Sequence, residues 1–547
     1  MVTQLLDVFS FLSVLLRGAA LACQTLIVGG AIFSFWILRP LKVVPGANPA
    51  DIFRSTRRLI CWCAVVLAVI QSFSLAADSL LLISTTGLTW HSVIGANFFI
   101  AGLASVAAAV MIIVITARDD YLQTFVIVAP VLIIIGTLVA TSHAAGRVQG
   151  RAVIAAFGAL HMLAVASWIG GLAYLLLTLA RTSEASVRRW LCRRFSSLAA
   201  LSVMVLTASG CLLSAAYIDS SEALYGTAYG AMVLSKTVMF GMLVALGGTN
   251  FLIVRRMADT GGERILTLRR FVEAELGIGF TVILAAASLS SQPPAVDLPA
   301  DRLSMSEIAQ RFAPVWPSFV TPPLASLSPA TPLSPDRNAS GPESLQSFVP
   351  GTSYQPNTPD DIAWSEYNHH WAGLIVVVIG LLAVAARLPG FRWARHWPLA
   401  FLGLAVFLLV RADPENWPLG PRSFWQSFTV AEVLQHRLFV LLIAAFAVFE
   451  WGVATARISS RRAALVFPVV CAAGGALLLT HAHSLGNVKE ELLSELSHIA
   501  LAMFGILAGW SRWLEVRVEG TPRQFLAWMW PACFVVIGMI LLNYRES

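Results

Sequence analysis

Charge is scarce in this chain, and the scarcity sets its class. Charged residues make up 12% of the 547 positions and hydrophobic ones 57%, whereas soluble domains carry about 25% charged residues. That balance excludes a soluble globular domain and points to a polytopic membrane protein. Long stretches of alternating polar and apolar residues are nearly absent, which argues against a β-barrel and leaves helices. The seven cysteines form no CxxCH haem-attachment motif and no paired CxxC knuckle. A disulfide framework is not indicated. No P-loop is present, so ATP-driven pumping by this chain alone is not expected. No hydrolase or transferase constellation appears, and the protein is expected not to be an enzyme.

What the chain does have is long apolar runs. Val93–Ile115, Phe125–Ser142 and Leu438–Thr455 are long enough, or nearly so, to cross about 30 Å of hydrocarbon at about 1.5 Å per residue. Fourteen spans are predicted, at 11–37, 59–80, 92–115, 122–142, 152–180, 196–217, 230–254, 271–291, 370–387, 396–411, 436–456, 463–481, 496–512 and 526–543. The first lacks a cleavage site after a short core and is expected to stay as a span. The expected fold class is an all-α polytopic membrane protein, with about 14 transmembrane helices in two bundles joined by a Pro-rich periplasmic loop.

The net charge of +7 reads as topology rather than nucleic-acid binding. Basic clusters at Arg54/Arg57/Arg58, Arg188/Arg189/Arg193/Arg194, Arg255/Arg256/Arg269/Arg270 and Arg457/Arg461/Arg462 fall in every second loop. That side holds 25 of the 37 Lys and Arg, against ten opposite and two, Arg17 and Lys236, inside spans. By the positive-inside rule it is cytoplasmic, so both termini are expected in the periplasm of an inner-membrane protein.

The stretch 292–368 holds 14 of the 26 prolines with many Ser and Thr, and reads as an extended periplasmic linker. It separates an eight-span half, 1–291, from a six-span half, 369–547. A short surface helix is expected at Ser306–Phe312. No internal repeat relates the halves.

Nine of the ten histidines fall on the outer side of this threading: His91, His143, His161, His369, His370, His436, His481, His483 and His498, with His396 alone inside. Any one of them reads as an ordinary interfacial residue, but an indifferent residue would visit both faces. Neutral imidazole is a common ligand for copper, zinc, nickel and iron, so a one-sided belt points to metal binding at that face. His481, His483 and His498 form the sharpest cluster, because a short acidic loop joins their spans, and His436 opens the next span at a similar height. His161 lies about nine residues into its span, or roughly 13 Å deep, where an ionisable residue normally faces a bundle interior. Trp168, seven residues on, is expected to share its face, and Gly170 and Gly171 to admit a neighbouring helix. His143 and His161 read as successive stations rather than one site.

Methionines 162, 204, 232, 239 and 242 offer thioethers that would suit Cu(I), with Met162 and Met239 the candidates, although most methionines in spans simply pack. Cys61 and Cys63 would be exit ligands or core. Lys236 would gate a cation path, pair with an acid, or snorkel to the headgroups. Glu273, Glu275 and Glu450 would relay protons or, as the plainer reading, pair with nearby arginines.

An ordered series of motifs runs from His143 to Pro294: SHAAG at 142–146, LHMLAVASWIGGL at 160–172, RRFSSLA at 193–199, TASG at 207–210, AYGAMVLSK at 228–236, LGGTN at 246–250, RRFVEAELG at 269–277 and SSQPP at 290–294. In order and placement this series resembles the CopD (copper resistance protein D) family of bacterial inner-membrane proteins. YNHHWAG at 367–373 and THAHSLG at 480–486 are similar to segments of longer relatives. The resemblance implies copper movement across the inner membrane, with conserved histidines at His143 and His161 and a lysine at Lys236. It also implies a periplasmic copper-binding partner of the CopC type. No Met/His-rich run or CopC-like domain is visible here, so such a partner would be a separate chain.

The expected function is therefore a copper-handling permease that captures copper at the outer histidines and passes it inward. A b-type haem cytochrome is the first alternative, disfavoured because His396 alone lies on the inner side. A copper-delivery or assembly scaffold without conduction is the second.

Overall fold

The computed structural model describes residues 2–46, 49–117, 123–256, 262–327, 358–414, 416–428, 431–481 and 489–546. Regular structure among them is helical, apart from one isolated bridge between Asn416 and Arg422. Two compact units emerge, Phe9–Ala300 and Asp301–Ser547 together with Met1–Val8.

The helices long and apolar enough to cross a membrane number thirteen among the described residues. With one shorter helix they are, in the first unit, α1 Leu12–Leu41, α2 Pro49–Thr86, α3 Asn97–Ala117, α4 Val128–Ala140, α5 Arg151–Arg181, α6 Ala185–Tyr217, α7 Ala228–Arg255 and α8 Ile265–Leu289. The second unit holds α9 Pro359–Ala385, α10 Arg392–Arg411, α11 His436–Ala454, α12 Ala463–Thr480, α13 Leu492–Arg517 and α14 Pro522–Leu542.

Fourteen spans were expected, and the fourth is the one that falls short. It was placed at 122–142; the structure instead starts a turn at Gln123–Val126, breaks, and resumes as the 13-residue α4. Pro130 has no N–H to give the Val126 carbonyl and its ring crowds that oxygen, which favours the break seen here.

Sequence neighbours joined by short loops pack side by side, as in α2 with α3, α5 with α6 and α7 with α8. The α1–α5 crossing is close because it is made by glycines. A Cβ on Gly170 would lie 2.3 Å from the Thr25 carbonyl oxygen, and one on Gly29 2.4 Å from that of Ala166. Sequence reasoning expected small residues here to admit a neighbour, and α1 is that neighbour. In the second unit α9 packs on α14, and α13 on both α12 and α14. Its core is aromatic, with Trp397, Phe467, Trp530 and Phe534 around Val376 and Ile379.

Helix α5 is not wound evenly. Residues Ala166–Gly170 form a π turn between two α-helical segments, a local widening often found at functional positions.

The Pro-rich stretch is not extended throughout. A short helix, Met305–Arg311, is started by a capping box in which Ser304 and Glu307 satisfy each other's backbone N–H groups. This segment lies on the second unit: Arg311 donates to Ser494 at 3.4 Å, Lys489 to Glu307 at 3.3 Å, and Arg545 to the Ala313 carbonyl at 2.9 Å.

Candidate functional site

His143 opens a tight 3-10 turn, His143–Gly146, just beyond α4. Its ring sits between Tyr217 at the end of α6 and Tyr229 at the start of α7, each 6.0 Å away between centroids. These tyrosines belong to a small buried cluster with Ala223 and Ala295. The backbone of Leu289 lies close enough to bear on the ring's charge, and the ring's buried Nε2 has no hydrogen-bond partner among the described residues. An imidazole nitrogen left without a protein partner can serve as a metal acceptor. Burial is the main force holding the ring below its ordinary pKa, aided by the charges of Arg17 and Arg147 and opposed by the Leu289 backbone and Asp297. The imidazole is therefore kept neutral, the form that binds metal.

His143 lines a cleft of about 380 Å³ with Thr141, Arg147 and Asp297. Arg147 and Asp297 close one side through a two-pronged ion pair at 3.0 and 3.1 Å. Thr141 also borders a polar cavity of about 260 Å³, lined by Arg17, Gln24, Gln71, Asp78 and Ser105. Sequence reasoning noted Arg17 inside a span but did not foresee this chamber, because its residues come from four separate helices.

His161 lies half-buried in α5. Its Nδ1 is 3.2 Å from Ser209 Oγ, and that hydroxyl donates its single proton to the Val205 carbonyl at 2.7 Å. The ring must then donate from Nδ1, which leaves the lone pair on Nε2. Gly210 gives the ring room, since a Cβ there would lie 3.5 Å from Cε1. Lys236 on α7 is close enough for its charge to bear on the ring. Met162 is half-buried beside His161, and Met239 is fully buried one turn along α7 from Lys236. Cys61 is partly exposed and Cys63 buried.

Trp168 does not share His161's face. The π turn underwinds α5 between them, so that His161 meets α6 while the Trp168 indole donates to Glu275 on α8 at 2.6 Å. Of the three glutamates expected to pair with arginines, Glu450 is buried with its Oε2 lacking a hydrogen-bond partner among the described residues, while Glu273 does pair, with Arg270 at 2.8 Å and Arg269 at 3.5 Å. Glu275 does not. Its second oxygen accepts from Asn250 on α7 at 2.7 Å.

In the second unit the described residues bring His369, Tyr544 and His498 together. His369 on α9 stacks on Tyr544 with centroids 3.8 Å apart, and its ring is 6.4 Å from that of His498 on α13. Each of these histidines directs Nδ1 to a carbonyl one turn back, Ser365 at 2.8 Å and Ser494 at 3.0 Å. His370 is buried with both nitrogens bonded to backbone: Nδ1 accepts from Ser318 N–H at 2.9 Å, and Nε2 donates to the Tyr544 carbonyl at 2.9 Å. That geometry makes it a clamp. His436 pairs with Asp413 at 2.8 Å. His91 is exposed, and His396 accepts from the Trp451 indole at 2.7 Å. His483 and the side chain of His481 lie outside the described residues. Among the described residues no three His, Cys, Asp or Glu side chains come together as a metal site.

These features define a multi-pass helical membrane protein that carries imidazoles and a few other polar side chains within a largely apolar bundle. Residues 189–289 match the family model CopD, copper resistance protein D; the matched segment spans α6 to α8 and includes Ser209, Lys236, Asn250 and Glu275. His143 and His161 precede it. A curated relative, the copper transport protein CutJ of Bacillus subtilis (strain 168), is 34% identical over 171 residues. The match covers 30% of this chain and 30% of that relative. No solved structure matches the chain.

Proposed function

We propose that this chain is a copper-handling permease of the bacterial inner membrane. Copper is its substrate, captured from the periplasm at the His143 turn and passed along α5 to His161. The observation that carries this reading is the buried Nε2 of His143, a neutral imidazole nitrogen in a cleft with no hydrogen-bond partner among the described residues. The CopD match over α6 to α8 and the copper transport name of the relative favour copper as the cargo. The distribution of Lys and Arg favours the His143 end as the periplasmic one, with both termini on that side.

His161, with its lone pair on Nε2 and Lys236 nearby, is the next station. Lys236 opposes free passage of cations and acts as a charge gate. In the second unit, His369 and His498 form an auxiliary copper station. Delivery by a separate periplasmic protein of the CopC type fits the lack of a soluble copper domain in this sequence.

The test is copper accumulation in cells carrying the wild-type chain, His143→Ala or His161→Ala. Both variants should load less copper than wild type. Equal loading by all three would rule out this path.

A further inference from the structure

Glu275 is 2% exposed and stands in no ion pair among the described residues. Its two oxygens accept from neutral donors, the Trp168 indole at 2.6 Å and the Asn250 amide at 2.7 Å. It borders a chamber of about 300 Å³ whose wall is largely apolar, including Phe195, Val244 and Val272, with Cys192, Ser196 and Asn250 among its few polar members. Gly247 makes room for the carboxyl: a Cβ there would lie 3.4 Å from Oε1. A carboxylate so placed bears the full cost of a buried charge, which taking up a proton removes.

Asn250 is built to serve both states. Its Nδ2 donates to the ionised carboxylate, while its own Oδ1 is buried without a partner among the described residues. Turning the amide over presents Oδ1 to a carboxyl O–H, so the protonated acid gains an acceptor where the anion had a donor. Trp168 donates to the other oxygen in either case.

Nearby charges are committed elsewhere. On α8, Glu273 is held by Arg269 and Arg270. On α6, Arg188 donates to the Thr182 carbonyl, and Arg194 to that of Trp36 at 2.8 Å. On α7, Arg255 lies over Phe251 and Lys236 lies toward His161. On α5, Tyr174 donates to the Leu26 carbonyl. Glu275 and the Cys192 thiol are the titratable groups of the chamber wall.

We propose that Glu275 is the proton-exchanging group of the first unit, loaded and unloaded through this chamber, and that its protonation is coupled to copper passage. The step is simple proton transfer: a hydronium ion reaching the chamber from solvent gives its proton to the carboxylate and becomes water, and the acid later returns the proton to a water molecule that carries it back out. Coupling follows from placement, since Trp168 and Asn250 lie on α5 and α7, the helices that carry His161 and Lys236. The coupling clause rests on the permease reading; the proton exchange does not.

The full-length chain in liposomes tests both parts. Infrared difference spectra between acidic and alkaline buffer should show a carboxyl band that Glu275→Gln removes and Glu273→Gln keeps. Glu275→Asp should restore the band at a shifted frequency, which also serves if the Gln variant fails to fold. Identical spectra for wild type and the position-275 variants would overturn the exchange. With copper outside and a pH-sensitive dye inside, wild type should show copper entry accompanied by a lumenal pH change. Glu275→Gln should lose the pH change per copper admitted. An unchanged ratio would overturn the coupling and leave the permease reading standing. If wild type admits no copper, the permease reading and the coupling both fall, and the infrared band alone decides the exchange.

Discussion

The ring of His369 lies flat on that of Tyr544, 3.8 Å between centroids, while the neighbouring His370 bonds the Tyr544 carbonyl. Two adjacent histidines thus meet one tyrosine in different ways. His370 has both nitrogens in backbone bonds, whereas His369 directs Nδ1 to Ser365 and keeps Nε2 for other uses. His370→Ala should cost about 1–3 kcal/mol through the backbone groups it strands, and His369→Ala about 0.5–1.5 kcal/mol from the lost stacking. Thermal melts should rank them in that order, and copper content should fall in His369→Ala alone. A larger loss of stability in His369→Ala would reverse the assignment.

The cleft at His143 carries a pH prediction. Its ring is held below the ordinary histidine value, so it stays neutral and able to bind metal as pH falls through the usual histidine range. Arg147 contributes to that depression and Asp297 opposes it. Removing Arg147 as Arg147→Gln should raise the ring's pKa and shift the acid limit of copper retention to higher pH. Asp297→Asn should shift it to lower pH. Copper retained by the purified chain across a pH series reads both, and shifts of the same sign would contradict the electrostatic account.

Glu515 gives a contrast in stability. It is buried on α13, where it accepts from Arg387, from Arg512 at 2.6 Å and from the Trp530 indole at 2.8 Å. Glu515→Gln leaves two largely covered guanidinium groups without a counter-charge and should cost about 3–5 kcal/mol, toward the lower figure because both retain some solvent contact. Glu273→Gln disturbs a more exposed pair and should cost no more than about 1 kcal/mol. Unfolding of the detergent-solubilised variants measures the difference.

At the α1–α5 crossing, Gly170→Ala places a methyl against the Thr25 backbone oxygen, which cannot swing aside. About 1–3 kcal/mol of overpacking is expected. Gly136→Ala, with nothing within 4 Å of its added carbon, should be nearly neutral. The two melting temperatures, compared with wild type, check the crossing.

The helical class and the position of most spans were legible because apolar length alone signals a crossing. Pro130 shows where that signal fails: hydropathy ignores a missing N–H, so one expected span came out broken and short. The partners of His143 were not legible, since Tyr217, Tyr229 and Asp297 converge from distant points in the chain. Glu275 misled for a related reason. Arginines lie near it in sequence, yet helical phase turns Glu273 toward them and Glu275 toward Trp168 and Asn250. Those three residues lie in motifs already visible in the sequence, and the structure shows what they share.

The π turn of α5 lets one rod face two ways, turning His161 to one neighbour and Trp168 to another. A surplus residue in a coil is not pinned to one spot. Sliding it along by a single position would swivel the stretch it passes by roughly 100°, so α5 contains a ready-made swivel between its imidazole and its indole.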